Sequence, residues 1–371
     1  ATDRKTEGGV RQRAASWTRY TEPDAIWEAL DSGNVRLLKL SYLVAKAKAG
    51  AILQRRQDLP EHAFATPMLL RGVLADASPL LSSFDCVLPI VAVSACWLTQ
   101  SHPDPRGEQL RLIGQALERH ARKYRAEVAG GKGFHEMGVF WDFGSLPQVE
   151  ESGEFQGRRR PNEQIQFDSA LRDMDLWFGH MGTVALLMTR PPTPTATAAK
   201  GANGKAAVGG RIPKKQLRKA SRTYDGSGWT TYEGTSAALK QFFRMPRRMQ
   251  GASWQLVVDC GQEAELSAAA GGAAAGGAAR EVAAAALVPS GSEWRFELTA
   301  ADFSTRLSKK SFAAEADRAL CVRLYDAQVT ATLGGLRTFS LQFPLPADAP
   351  PLPRAGPPQA TLLGRLVNRR L

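Results

Sequence analysis

Between Val87 and Asp259 the chain alternates short apolar runs with amphipathic stretches, and this alternation constrains the fold more than any other feature. Val87-Leu88-Pro89-Ile90-Val91-Ala92-Val93-Ser94 is nearly continuous and rich in β-branched residues. A strand buried on both faces reads this way. Over 107–129, Leu110, Ile113, Leu117, Ala121 and Tyr124 fall on one helical face, with charges opposite. Further apolar runs at 138–142, 183–189 and 254–259 predict three more strands, and 162–178 and 229–243 predict the helices between them. The expected fold class is α/β, with three layers and a mainly parallel sheet of four or five strands covered on both faces.

The flanks read differently. Residues 1–83 suggest a flexible arm and a helical segment, with helices over 24–30 and 35–47 separated by Ser32-Gly33-Asn34. The α/β domain takes 84–261 and carries an insert at 190–223, longer than the roughly 2–6 residues usual between a strand and a helix. Residues 262–287 are an Ala/Gly-rich linker, 288–342 a small C-terminal extension with a strand over 293–299 and a helix over 313–330, and 343–371 a Pro-rich tail.

The net charge of +12 is local in origin. Between Arg190 and Arg222 lie nine basic residues and no acidic one, so this stretch carries +9. Such a run is read as a solvated linker or as a surface for RNA or an acidic partner. The four cysteines lack CxxC spacing and the five histidines lack HxxxH spacing, so neither a metal site nor a disulfide framework is expected. No apolar run reaches the roughly 18–20 residues that cross a bilayer, so no membrane partner is expected, and reduced thiols suit a cytoplasmic protein. No G-x-G-x-x-G follows the first run, which argues against a tightly held dinucleotide cofactor.

Crossover sheets gather reactive residues beyond the C-terminal ends of their strands. Three short sequences fall there: Ser94-Ala95-Cys96-Trp97, Trp141-Asp142-Phe143-Gly144-Ser145-Leu146-Pro147-Gln148 and Gly228-Trp229-Thr230-Thr231-Tyr232-Glu233. The first, with the preceding Val91-Ala92-Val93, resembles the S-Y-x-W-G signature of heterokaryon-incompatibility (HET) domains. The second is similar to that family's W-I-D-x-x-C-I-x-Q, and the third to its R-x-W-T-x-Q-E. The spacing of Trp229 and Glu233 also resembles the W-C-x-x-E element of Toll/interleukin-receptor (TIR) domains. Ala95, Leu98, Ser145-Leu146 and Tyr232 depart from those patterns. The chain as a whole, through Arg55-Arg56-Gln57-Asp58-Leu59-Pro60 and the stretch from Glu315 to Tyr325, resembles multi-insert proteins of dinoflagellates.

The HET/TIR-like resemblance implies a flavodoxin/TIR-like sheet and cleavage of NAD, or of a related nucleotide, at the nicotinamide–ribose bond. In that reading Glu233 is the catalytic carboxylate, placed in the first turn of its helix, where the helix dipole keeps it ionised. Trp97, Trp141 and Trp229 shape the pocket with Asp142, and Arg106 or Arg111 meets the pyrophosphate. Each residue also has a plainer reading: Glu233 stabilising a helix start, the tryptophans packing at a sheet edge, Asp142 capping a turn. Two other functions remain open, a non-catalytic signalling or self-assembly module and nucleic-acid binding through the basic insert.

Overall fold

Parallel strands need a crossover of a dozen or more residues between them, and the amphipathic helices supply it. The computed structural model describes residues 17–77, 87–127, 135–190, 223–244, 256–261, 297 and 299–335. The strands are β1 (Leu37–Lys39), β2 (Phe64–Ala65), β3 (Ile90–Ala95), β4 (Gly138–Phe140), β5 (Val184–Met188) and β6 (Val257–Asp259). They form one sheet of six strands, in the order β2-β1-β4-β3-β5-β6. β4, β3, β5 and β6 run parallel, and β1 is antiparallel to both β2 and β4.

The helices are α1 (Asp24–Asp31), α2 (Leu40–Lys48), α3 (Pro67–Ala77), α4 (Glu108–Glu127), α5 (Asp142–Ser145), α6 (Pro161–Arg172), α7 (Met174–Gly179), α8 (Gly228–Arg244), α9 (Ala300–Leu307) and α10 (Ala316–Gly335). α4 packs on α2, while α7, α8 and α10 pack on one another. Every residue of β3 and β5 is buried, as the apolar runs require of central strands covered on both faces.

The sheet is wider than the four or five strands expected. The two additional strands, β1 and β2, lie before residue 84 and belong to the same sheet as the parallel strands. The helix expected over 35–47 is instead β1 followed by α2. Leu37 and Leu38 are an apolar pair too short for periodicity to separate strand from helix. Pairing decides it, with Leu38 opposite Phe64 on one side and Val139 on the other. The helix expected over 162–178 breaks at Asp173 into α6 and α7. The strand expected over 293–299 falls mostly outside the described residues, as do the 1–16 arm, the 191–222 part of the basic insert, the 262–287 linker and the 343–371 tail.

Two polar devices hold the frame. The Arg19 guanidinium spans both oxygens of Asp175 at 3.0 and 3.1 Å, and Tyr20 OH donates to the same carboxylate at 2.5 Å. This ties the segment before α1 to α7. Before α4, Asp104 Oδ2 accepts from the Leu110 amide at 2.7 Å, and His102 Nδ1 accepts from the Asp104 amide at 2.8 Å. Gly107 closes this turn at φ +71°, where a Cβ would stand 2.5 Å from the Ala51 carbonyl oxygen. The Leu98 amide, next to Trp97 in the loop after β3, donates to the Pro103 carbonyl of this turn at 3.0 Å.

Candidate functional site

The C-terminal ends of the parallel strands form that rim, and β3 lies between β4 and β5, where the strand order reverses. Ser94, near the end of β3, points its fully buried hydroxyl toward α8. Its Oγ donates to Glu233 Oε2 at 2.5 Å and lies 2.7 Å from Tyr224 OH. Glu233 is the sixth residue of α8, in its second turn rather than its first. It is 8% exposed. Burial raises its pKa from 4.5 to about 8, with Ser94 donation acting against the rise and the Asp142 carboxyl adding to it. The expectation of an ionised glutamate in a first turn is therefore corrected: loss of hydration outweighs the helix dipole at this depth.

Asp142 opens α5 directly after β4. Its Oδ1 accepts from the Phe143 amide at 2.7 Å and its Oδ2 from Trp97 Nε1 at 2.8 Å. The carboxyl thus caps its own turn and ties the end of β4 to the loop after β3. Burial raises its pKa, while the Trp97 N–H works in the opposite sense. Trp97 is half-buried and meets the Phe143 ring edge-on, with centroids 5.6 Å apart. Trp97, Asp142 and Glu233 therefore share one rim, from three separate elements.

The other expected site residues lie elsewhere. Trp141 is 0% exposed, so its ring offers no face to a ligand. As the residue between β4 and α5 it is turned into the core, and its indole nitrogen has no hydrogen-bond partner among the described residues. Trp229 donates to Asp317 Oδ2 of α10 at 3.0 Å and meets Tyr232 edge-on, so it fastens α8 to α10. Arg106 pairs with Glu108 at 3.0 Å, and Arg111 is exposed on α4. Neither arginine is hydrogen-bonded to Ser94, Asp142 or Glu233.

Sequence reasoning did not assign Ser94 or Tyr224 a role. Tyr224 begins a 3-10 turn, Tyr224–Gly226, at the end of the basic insert, with the Thr223 hydroxyl capping the Gly226 amide at 3.0 Å. The Asp225-Gly226 pair is the signal that marks this re-entry. A second polar pair lies further along the rim, where Thr189 Oγ1 donates to Asp259 Oδ2 at 2.5 Å.

A cleft of about 410 Å³ adjoins the Trp97 end of the site through Phe143, and Lys46, Ile52, Arg55 and His102 also line it. A larger one of about 710 Å³ lies at the antiparallel edge, between Phe64 and Met68 on one side and His135 on the other. Glu233 lines neither. Among the described residues no three His, Cys, Asp or Glu side chains group as metal ligands, and no helix is long and apolar enough to cross a membrane. Compared with protein-family models, with curated proteins and with solved structures, the chain matches none of them.

Proposed function

We propose that this chain is a HET/TIR-like domain that cleaves NAD, or a related nucleotide, at its N-glycosidic bond, with Glu233 as the reacting carboxyl. One observation carries the reading: at the C-terminal rim of the parallel strands Glu233 lies within the electrostatic reach of Asp142, the carboxyl that Trp97 hydrogen-bonds. In the reaction the C1′–N bond breaks, its electron pair leaves with nicotinamide, and positive charge spreads over the ribose ring. A carboxylate within a few ångströms stabilises that charge, most effectively where water is excluded. A cationic nicotinamide riboside approaching Glu233 favours its ionised form, so the substrate helps to generate the carboxylate it needs. Water then adds at C1′ and loses a proton, giving ADP-ribose, nicotinamide and H⁺. Trp97, half-buried at the same rim, supplies a ring face for the base.

The test is release of free nicotinamide from NAD by the purified chain, followed by chromatography, beside Glu233→Gln. Release by the wild type and its loss in the variant support the reading. Equal release by both removes Glu233 from the mechanism, and none from the wild type overturns the activity.

A second reading is a signalling module that self-associates without catalysis. The near-closure of Glu233, 8% exposed, favours it. Sedimentation across a hundredfold range of concentration distinguishes the two, since only this reading requires assembly.

A further inference from the structure

Ser94 has one hydrogen to give and two neighbours, Tyr224 OH and Glu233 Oε2. Two arrangements use that hydrogen. In one, Tyr224 donates to Ser94 and Ser94 donates to Glu233. In the other, a protonated Glu233 donates to Ser94, Ser94 donates to Tyr224, and the phenol hydrogen has no acceptor among the described residues. Tyr224 is 4% exposed, so that hydrogen would be buried unpaired. The phenol keeps its proton, because burial and the nearby Glu233 raise its pKa well above the ordinary value. Hydrogen counting therefore selects the first arrangement, in which a protonated Glu233 carries its hydrogen on Oε1, an oxygen that is not among the buried unpartnered ones.

We propose that Tyr224 is a positioning residue: it commits the Ser94 hydrogen to Glu233 Oε2 and leaves Oε1 as the oxygen that meets the ligand. The catalytic meaning of this arrangement rests on the reading of Glu233 as the reacting carboxyl. The arrangement itself does not. The one side-chain hydrogen bond of Glu233 among the described residues falls on Oε2. The titratable groups around it are Asp142 at the start of α5, Tyr224 before α8, Tyr232 within α8 and Cys321 of α10. None of these four is a cation, so the Ser94 hydroxyl is the contact that favours the ionised form. Tyr224 determines whether that hydroxyl is free to turn away.

The test is infrared difference spectroscopy of the protonated carboxyl band, assigned by its loss in Glu233→Gln and titrated with pH. In Ser94→Ala the band moves to higher wavenumber and its midpoint rises, because the carbonyl loses its donor. In Tyr224→Phe both move the same way by less. Adding Tyr224→Phe to Ser94→Ala changes nothing further, since Tyr224 acts only through Ser94. Fluorotyrosine at 224 keeps the ring and donates more strongly, so it lowers the midpoint and serves if the phenylalanine variant does not fold. A Tyr224→Phe band identical to wild type, or a shift that persists undiminished in the Ser94→Ala background, overturns the proposal. Nicotinamide release judges the reaction separately: Tyr224→Phe lowers kcat about tenfold with KM little changed. A wild type that releases none sinks the reaction and leaves the infrared result to decide Tyr224.

Discussion

Trp97 Nε1 donates a 2.8 Å hydrogen bond to Asp142 Oδ2, joining the loop after β3 to the first residue of α5. Neighbouring strands thus fix each other's C-terminal loops through a side chain that also faces the candidate site. Trp97→Phe keeps the ring and removes the donor. It costs about 1–2 kcal/mol in urea unfolding and moves the Asp142 pKa further upward, since the lost N–H favoured the charged form. Unchanged stability would remove this contact from the architecture of the rim.

Burial of Glu233 predicts a slope of stability with pH. Its pKa is 4.5 in the ordinary state and about 8 when folded, so between these values the folded chain holds a proton that the unfolded chain has released. The stabilisation is complete below pH 4.5, declines as pH rises, and is lost above about 8. The total is up to about 5 kcal/mol. Unfolding free energies of wild type minus Glu233→Gln, measured from pH 5 to 9, show this decline. A flat difference rejects a neutral buried Glu233.

The same pKa sets the expected profile of the reaction. On the proposed reading of Glu233 as the reacting carboxyl, the ionised form stabilises the developing ribosyl cation, and kcat/KM for NAD is then expected to rise with pH and level off above about 8. A profile that falls across this range instead indicates that the protonated form does the work.

Asp175 accepts from both Arg19 and Tyr20 and is 2% exposed. Asp175→Ala leaves the Tyr20 phenol without its acceptor and the Arg19 guanidinium with only Asp173, and costs about 2–4 kcal/mol, read by urea unfolding. Limited proteolysis before α1 should rise in parallel, because this cluster is what holds residues 17–21 against α7.

Gly107 and Gly153 both adopt positive φ, +71° and +85°. A Cβ at Gly107 meets the Ala51 carbonyl, whereas Gly153 faces open space. Gly153→Ala therefore carries only the backbone cost of about 1 kcal/mol, and Gly107→Ala roughly 2–3 kcal/mol, seen as the larger fall in Tm. Equal losses at the two positions contradict the close approach of the α4 turn to the loop after α2.

The parallel strands were legible because burial on both faces leaves a direct trace in residue type: Val91, Val93 and Leu186 sit in runs that few other structures tolerate. β1 and β2 left no such trace. A pair such as Leu37-Leu38 suits a strand or a helix equally, and only the neighbours Phe64 and Val139 select between them. The break at Asp173 was equally hidden, since the helical face continues past it and the Arg19 that engages Asp173 comes from 154 residues away.

At the site, motif spacing picked out Trp97, Asp142 and Glu233 because strand ends and helix starts are local features. Local reasoning also made Trp141 and Trp229 candidates, for an indole reads the same in sequence whether it packs inward or outward. Sequence by itself determined the four parallel strands and the Asp142 carboxyl that follows one of them. Tertiary structure alone decided the charge state of Glu233, because desolvation, the Ser94 hydroxyl and the field of Asp142 all arrive from distant parts of the chain and act through space.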